Sequence, residues 1–229
     1  MQTGIRIVFA ASVLLFITSG WSQVSIIPSR PTHYFYTPMA KVNPANHLVV
    51  GLHELSFGLP AHLQIQASLM DNIGRTNIGV KLGLNENLAI GAGLAHSIMH
   101  IGPGSHGIAS WNPSRVGAYC AWEVMDNASF EVALTPHAQF RDRTSIGCDI
   151  GLLSRMNPVW SVIWEIGSSI DLNEKSLYLN TDGGIRIHPM NIPFLNFDFG
   201  IDLEEFKVES GSRKSVTVYF DALFSIVAR

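Results

Sequence analysis

Apolar and polar residues alternate with a period close to two from His33 almost to the end of the chain. The stretch 160–171 shows the pattern: apolar Trp160, Val162, Trp164, Ile166 and Ile170 are interleaved with Ser161, Glu165, Gly167, Ser169 and Asp171. Because successive side chains of a β-strand point to opposite faces, this alternation predicts strands with one apolar and one polar face. The pattern therefore restricts the chain to an all-β fold.

Twelve segments carry the alternation, and we predict one strand in each: 33–38, 48–58, 62–70, 76–84, 88–99, 114–125, 129–138, 145–155, 159–171, 177–188, 194–205 and 215–227. Most are close to the ~9–11 residues that a tilted strand needs to cross a bilayer. The segment 48–58 changes phase near Leu52–Leu55, which we interpret as a bulge. Ten strands is the alternative count.

The predicted connections alternate between two kinds along the chain. Tight connections rich in Asn and Pro are 59–61, 85–87, 126–128, 156–158 and 189–193. They alternate with connections that are often longer: 39–47, 71–75, 100–113, 139–144, 172–175 and 206–214. Short turns at one end and longer loops at the other are typical of outer-membrane barrels, and an even strand number puts both termini at the short-turn end.

The composition favours strands that cross a membrane. Charged residues make up 14% of the chain, against about 25% in typical soluble domains, and hydrophobic residues make up 47%. No internal run of 18 or more uncharged apolar residues occurs, so no membrane-spanning helix is predicted. The net charge of −3 and the lack of a basic patch argue against a nucleic-acid partner.

The N-terminus predicts export. Arg6 is the sole charge of residues 1–22, and a short apolar core, Ile7 to Ile17, precedes small Gly20 and Ser22. This is typical of a secretory signal peptide that is removed before Gln23. We therefore divide the chain into a signal peptide (1–22), a periplasmic leader (23–32) and a β-barrel (33–229).

With these features the chain resembles bacterial outer-membrane β-barrel proteins as a class. The resemblance is carried by the signal peptide, the hairpin "GLNENLAIGAGL" and the terminal strand "SVTVYFDALFSIVAR", although the chain ends in Ala228-Arg229 where such proteins often end on an aromatic residue. It implies a closed antiparallel transmembrane barrel in contact with outer-membrane lipid and inserted by the barrel-assembly machinery. It also implies extracellular long loops and periplasmic termini. The oligomeric state is left open.

Six aromatic residues fall near the short turns or the C-terminal end: Phe57, Trp122, Phe130, Trp160, Phe194 and Phe224. In a membrane barrel these positions predict a ring at the periplasmic interface. The two cysteines, Cys120 and Cys148, fall on the apolar face of strands separated by one other strand. Because two strand spacings exceed disulfide reach, we predict free thiols.

The charged residues predicted to line the lumen are Lys81, Arg115, Glu123, Glu131, Asp149, Glu165, Asp171, Asp182, Arg186, Asp198, Asp202 and Asp221, with Glu204, His137 and His188 as further candidates. An acidic excess in a wet lumen favours cations. The same residues could instead fill the lumen as Arg–carboxylate pairs, because twelve strands enclose a narrow interior. A conduit and a plugged barrel both stay open, and we favour a constricted lumen with at most small-solute passage.

Three histidines, His96, His100 and His106, lie within eleven residues and are weak candidates for metal ligands. No compact ligand pattern such as His-Glu-x-x-His accompanies them, and loop histidines are more often solvated. We therefore predict neither a metal nor another cofactor.

The expected function is structural or porin-like: passive transit of small solutes, or a surface scaffold, without enzymatic activity. One alternative is a barrel enzyme that acts on lipid or peptide at the outer rim, for which His96, Ser97, His137 and Asp142 are the available groups. No Gly-x-Ser-x-Gly motif supports it. A further alternative is a soluble secreted β-barrel or sandwich that binds a small ligand.

Overall fold

The computed structural model describes residues 24–26, 37–68, 75–97, 115–141, 144–192, 194–208, 212–213 and 216–228. The predicted signal peptide, 1–22, and the longest predicted connection, 100–113, lie outside these residues. Within the described residues the regular structure is all β-strand. No helix among them is long and apolar enough to cross a membrane.

The strands, numbered in chain order, are β1 (Val24–Ile26), β2 (His47–Val50), β3 (Leu55–Leu59), β4 (Leu63–Ala67), β5 (Arg75–Asn85), β6 (Leu88–Ser97), β7 (Arg115–Asp126), β8 (Phe130–Arg141), β9 (Ser145–Arg155), β10 (Trp160–Asp171), β11 (Ser176–Ile187), β12 (Leu195–Lys207), β13 (Ser212–Arg213) and β14 (Thr217–Ala228). Each of β2 to β11 pairs antiparallel with the next strand in sequence.

The sheet closes on itself through β14. Residues Thr217 to Phe224 pair with β12, and residues Phe224 to Val227 pair with β2. The ring therefore contains β2 to β12 and β14, which makes a closed antiparallel barrel of twelve strands. The predicted fold class and strand number are confirmed, and the alternative count of ten is wrong.

Two of the twelve predicted strands are wrong in detail, and their errors cancel in the count. The segment 48–58 is two strands, β2 and β3, joined by a tight connection at 51–54, so its change of phase marks a turn and not a bulge. The segment 33–38 supplies no barrel strand in its described part, because Thr37 and Pro38 belong to none of the wall strands. Residues 33–36 lie outside the described residues.

The remaining two strands extend the barrel at its ends. β1 pairs with β14 at Ile226 to Ala228, beyond the start of β12. β13 pairs with Phe206 and Lys207 within the connection from β12 to β14. Neither strand takes part in the closure.

The faces of the wall are inverted relative to a soluble protein. On β10, outward Trp164 and Ile166 are 51% and 52% exposed, whereas inward Glu165 is 1% exposed. The same holds around the ring, where large apolar side chains are exposed and polar ones are buried. Such a surface is stable in hydrocarbon, because the closed ladder leaves no edge of backbone N–H and C=O groups unpaired.

The aromatic residues predicted near the short turns lie mostly on the outside of the barrel. Trp122, Phe130, Trp160 and Phe224 are between 36% and 52% exposed. They lie towards the short-turn ends of β7, β8 and β10 and towards the C-terminal end of β14. Their position fits the interfacial band of a membrane barrel.

The short turns are closed by asparagine side chains. The Asn127 Oδ1 accepts hydrogen bonds from the Ser129 and Phe130 amides at 2.9 Å each, and the Asn157 Oδ1 accepts from the Val159 and Trp160 amides at 2.7 and 3.0 Å. Asn and Asp favour turns because their side chains replace backbone partners in this way. The prediction from these residues is confirmed at both turns.

Cys120 and Cys148 are free thiols, as predicted. They occupy β7 and β9 on opposite sides of β8, where Cys148 pairs with Pro136.

The closed ladder predicts heat-modifiable migration. Unboiled protein in SDS is expected to run faster than boiled protein, because the compact barrel unfolds only when its circular hydrogen-bond ladder breaks. Gel electrophoresis of the detergent-extracted chain, with and without boiling, measures this. Identical migration of both samples would contradict closure.

Candidate functional site

A segment of the chain runs inside the barrel. Residues 37–46, called the inner segment below, precede β2 and belong to no strand of the wall. Thr37, Met39, Ala40 and Asn43 are between 1% and 3% exposed. The prediction that 39–47 is one of the loops at the long-loop end is therefore wrong, because these residues contact the inner wall.

Met39 lies at the centre of an apolar cluster inside the lumen. It packs with four inward side chains: Ala133 of β8, Leu153 of β9, Ile163 of β10 and Tyr219 of β14. All five are at most 5% exposed. Because β14 is separated from β10 by β11 and β12, this cluster bridges well-separated parts of the wall.

Polar contacts attach the inner segment to the wall on both sides of this cluster. The Thr37 amide donates to Glu165 Oε1 of β10 at 2.9 Å, and the Thr135 hydroxyl of β8 donates to the Pro38 carbonyl at 3.2 Å. The Asn43 backbone N–H donates to Gln64 Oε1 of β4, and the Asn43 side-chain Nδ2 donates to the Ser56 Oγ of β3, both at 2.8 Å. The segment thus crosses the lumen from β8 and β10 to β3 and β4.

Gly58 lets the inner segment pass close to β3. A Cβ atom at this position would collide with the carbonyl oxygens of Asn43 and Pro44. The Asn46 amide then donates to the Gly58 carbonyl at 2.8 Å, where the segment leaves the lumen to enter β2. The glycine is therefore required by the close approach of two backbones.

Two lysines take part in this packing. The Lys81 Nζ of β5 donates to the Lys41 carbonyl at 2.6 Å, and Lys81 is 1% exposed. The Lys41 Nζ itself reaches Glu131 Oε2 at 2.5 Å and Asp126 Oδ2 at 3.2 Å, where β7 turns into β8. Both ammonium groups thus hold the same stretch of the inner segment to the wall.

The charged side chains around Lys41 form what we call the rim cluster: the carboxyl groups of Glu123, Asp126 and Glu131 and the guanidinium group of Arg155, at the short-turn end of β7, β8 and β9. The Arg155 Nη2 lies 2.6 Å from Glu131 Oε2 and 3.1 Å from Asp126 Oδ1. Glu123 and Glu131 are 3% and 2% exposed. Lys41 and Asp126 have 38% exposed side chains, so the cluster is accessible from the short-turn end.

A second ion pair is fully buried in the wall of the lumen. The Arg186 Nε and Nη2 of β11 donate to the two carboxylate oxygens of Asp198 on β12 at 2.8 and 2.7 Å. The side chains are 2% and 0% exposed. This bidentate geometry is the strong form of an Arg–carboxylate contact, and it compensates for the desolvation of both charges.

Asp221 fixes the connection between β2 and β3. Its carboxylate, 0% exposed, accepts hydrogen bonds from the Leu52 and His53 amides at 2.6 and 2.9 Å. The His53 ring stacks on the Tyr219 ring with 4.5 Å between centroids. The connection between β2 and β3, strands of four and five residues, is thus anchored by polar side chains of β14.

The lumen charges predicted from the sequence can now be located. Nine of them are buried inside the barrel: Lys81, Glu123, Glu131, Glu165, Asp171, Asp182, Arg186, Asp198 and Asp221. Asp149 is 21% exposed and lies 3.1 Å from the His137 Nδ1. The side chains of Arg115, Asp202 and Glu204 lie outside the described residues.

His188 follows β11 and serves as a hydrogen-bonding group. Its Nδ1 lies 2.7 Å from Asn196 Oδ1, and its Nε2 lies 3.5 Å from the Ser161 Oγ. Burial lowers the pKa of His188, so its ring is neutral at pH 7. It therefore does not offset the acidic charge of the lumen.

The strand register separates His137 from Ser97, two residues of the enzyme alternative. His137 lies opposite Tyr119, and Tyr119 lies opposite Gly91, six residues before Ser97 on β6. At ~3.3 Å per residue, Ser97 is about 20 Å further along the wall than His137. His137 instead leans over Gly147 towards β10, with its Nε2 2.5 Å from where a Cβ of Gly147 would lie. Asp142 and the side chains of His96 and Ser97 lie outside the described residues.

The metal candidates His100 and His106 lie outside the described residues, as does the His96 side chain. Within the part of the chain that is described, no group of three or more His, Cys, Asp or Glu side chains is arranged to hold a metal ion.

Sequence reasoning missed several functional side chains. Met39, Lys41 and Asn43 fell in a presumed loop, and Arg155 and Glu54 were not assigned to the lumen. Arg155 shares the inward parity of Asp149 on β9, so its phase could have been read from the alternation. No periodicity marks the inner segment, because it is not a strand.

The ring of paired strands, its apolar exterior and its buried polar interior decide the fold. The chain has the fold of an outer-membrane β-barrel. No model of a protein family matches it, and no curated protein matches it. Its likeness to solved structures is one of shape.

Three solved structures illustrate that likeness. A NanC porin is 10% identical, with a TM-score of 0.48 over 80% of this chain and 97% of the porin. A bacterial polysaccharide outer-membrane secretin is 12% identical, with a TM-score of 0.48 over 82% of this chain and 77% of the secretin. The outer-membrane protein OmpT of Vibrio cholerae is 7% identical, with a TM-score of 0.38 over 77% and 64%. Similarity this low carries no argument about function.

Breaking the buried Arg186–Asp198 ion pair should strongly destabilise the barrel. Arg186→Met is expected to lower the free energy of unfolding by about 3–5 kcal/mol, because it leaves the Asp198 carboxylate buried without its partner. The double variant R186M/D198L should recover most of this loss. Urea unfolding in detergent measures both, with Lys207→Ala as the control, since its partner Glu174 is exposed. A double variant as unstable as R186M would contradict the explanation.

Proposed function

We propose that this protein is a porin-like outer-membrane barrel whose lumen is closed at rest by its own inner segment. The single observation that carries this proposal is the Met39 cluster, which fills the space between β8, β9, β10 and β14. Solutes pass a barrel only where water does, and a packed apolar cluster excludes water. Transit of small solutes therefore requires displacement of the inner segment.

The wall behind the inner segment remains compatible with water once the segment leaves. Outside the Met39 cluster, the wall groups that hydrogen-bond or pair with the segment are polar or charged: Ser56, Gln64, Lys81, Glu131 and Glu165. Polar groups that exchange a protein hydrogen-bond partner for water lose little free energy, whereas an apolar surface would not hydrate. The attachments are thus suited to reversible release.

The charge of the lumen favours cations as the transported solutes. Among the described residues, nine carboxylates face inwards, Glu54, Glu123, Glu131, Asp149, Glu165, Asp171, Asp182, Asp198 and Asp221. Four cationic side chains accompany them: Lys41, Lys81, Arg155 and Arg186. A ring of excess carboxylate attracts cations and repels anions.

The second candidate is a surface scaffold, and the closed lumen favours it as well. A barrel that never opens would still display its predicted long loops, of which the longest is 100–113. The two candidates differ in conductance once the inner segment is loosened.

Conductance in planar bilayers tests the proposal. Wild-type protein is expected to be closed for most of the recording. The variant M39S/K41S/N43S removes the central apolar side chain and two wall contacts, so its open fraction should rise at least tenfold. Its reversal potential in a salt gradient should show cation selectivity.

A second variant loosens the inner segment from the wall side. Gly58→Ala introduces a Cβ where the segment backbone passes and should also raise the open fraction. Gly93→Ala is the matched control, since a Cβ there meets its nearest atom at 3.6 Å and is tolerated. If both loosened variants fold and stay as silent as wild type, the pore function is wrong and the scaffold is favoured.

Export and orientation belong to the same proposal. Residues 1–22 are proposed to be removed as a signal peptide, with the short-turn end in the periplasm and the long loops outside. N-terminal sequencing of the protein from outer membranes is expected to begin at Gln23. An intact Met1 in membrane-inserted protein would contradict it.

A further inference from the structure

The rim cluster holds a cation that does not belong to the barrel wall. That cation is the Lys41 ammonium, which the inner segment places 2.5 Å from Glu131 Oε2 and 3.2 Å from Asp126 Oδ2. The two carboxylates come from the ends of β7 and β8. An ammonium group of the chain thus occupies a pocket whose other walls are fixed parts of the barrel.

The rim cluster brings three carboxyl groups together with two cations. Glu123, Asp126 and Glu131 face Lys41 and Arg155, and their charges act on one another. Both carboxylate oxygens of Glu123 are buried, and within the described residues they accept no hydrogen bond. A buried carboxyl group without a hydrogen-bond donor ionises only at a cost, and an ammonium donor brought beside it would offset that cost.

The wall carboxylates of the rim cluster keep contacts that do not depend on Lys41. Arg155 bonds Glu131 Oε2 and Asp126 Oδ1 independently of the inner segment and also donates to the Asn127 carbonyl. The carboxylates therefore stay in place, and the position of the Lys41 Nζ becomes open. The 38% exposed side chains of Lys41 and Asp126 indicate access from the short-turn end.

We propose that the rim cluster is a binding site for solutes with a primary ammonium group, which Lys41 occupies as a tethered substitute while the lumen is closed. This inference rests on the proposed closure by the inner segment. A free ammonium solute competes with Lys41 for Glu131 and Asp126. Its binding therefore favours the state in which the inner segment is released, since only that state offers it the site.

The chemistry of the pocket selects an ammonium group. An –NH₃⁺ group is a compact charge with three donors, which suits carboxylates that converge on one point from two strands. A divalent metal would need six or more oxygen ligands for calcium, or octahedral geometry for magnesium. No metal-type arrangement of side chains occurs among the residues described.

The test uses n-butylammonium, the free analogue of the Lys41 side chain, and the full chain in detergent. Lys41→Ala vacates the ammonium position and leaves the contacts of Thr37, Met39 and Asn43 intact. Ligand-observed NMR titration is expected to show binding to K41A at least about tenfold tighter than to wild type, where the tethered ammonium competes. The uncharged analogue n-butanol should not bind.

Two matched variants locate the site. K41A/E131Q is expected to lose the binding gained in K41A, because it removes the carboxylate that contacts Nζ most closely. Lys207→Ala removes a lysine from a carboxylate pair at the other end of the barrel and should bind like wild type. If K41A does not fold, Lys41→Ser replaces it, and boiled and unboiled gel samples verify the barrel in every variant.

The outcome separates this inference from the proposed function. Equal binding to K41A and wild type, or unchanged binding in K41A/E131Q, overturns the ammonium site even where the loosened variants conduct. Selective binding to K41A with electrically silent M39S/K41S/N43S and G58A supports the site and contradicts the pore.

Discussion

The pairing of β14 with both β12 and β2 is the constraint on which the whole structure depends. In hydrocarbon, an unpaired backbone N–H or C=O costs several kcal/mol, so a sheet survives there only if it has no free edge. One strand therefore closes the ladder, with Phe224 as the residue at which the two pairings meet. Closure in turn forces alternate residues inwards and gives this chain its buried carboxylates.

A narrow polar lumen must be filled by water or by protein. This barrel fills its short-turn half with residues 37–46 of its own chain, which bring both apolar side chains and hydrogen-bonding groups. Met39 supplies the apolar centre, and Lys41 and Asn43 supply polar anchors. The resulting interior resembles a soluble core in burial, and its polar attachments are contacts that water can replace. This combination links the architecture to a lumen that can open.

The strands of the barrel wall could be predicted from the sequence, whereas the position of the inner segment in the lumen could not. Period-two alternation is a local signal. It located ten of the twelve strands because the two faces of the wall require opposite polarity at successive residues of a strand. It failed at 48–58, where two strands of four and five residues are too short for a change of phase to reveal the turn. It also failed for the inner segment, whose position depends on long-range contacts such as Asn43 with Gln64. The excess of lumen carboxylate was predictable, whereas the cluster around Lys41 was not, because one partner comes from a segment without periodicity.

Nitroxide accessibility along β10 tests the central claim most directly. A single label is placed in turn at each position from 160 to 171, in a variant with Cys120 and Cys148 replaced by Ala, and the protein is reconstituted into lipid. Collision with oxygen, which concentrates in hydrocarbon, is expected to peak at the even positions and to fall at the odd ones. High oxygen accessibility at the odd positions, or no periodicity of two, would contradict a barrel whose outer face meets lipid and whose inner face meets the closed lumen.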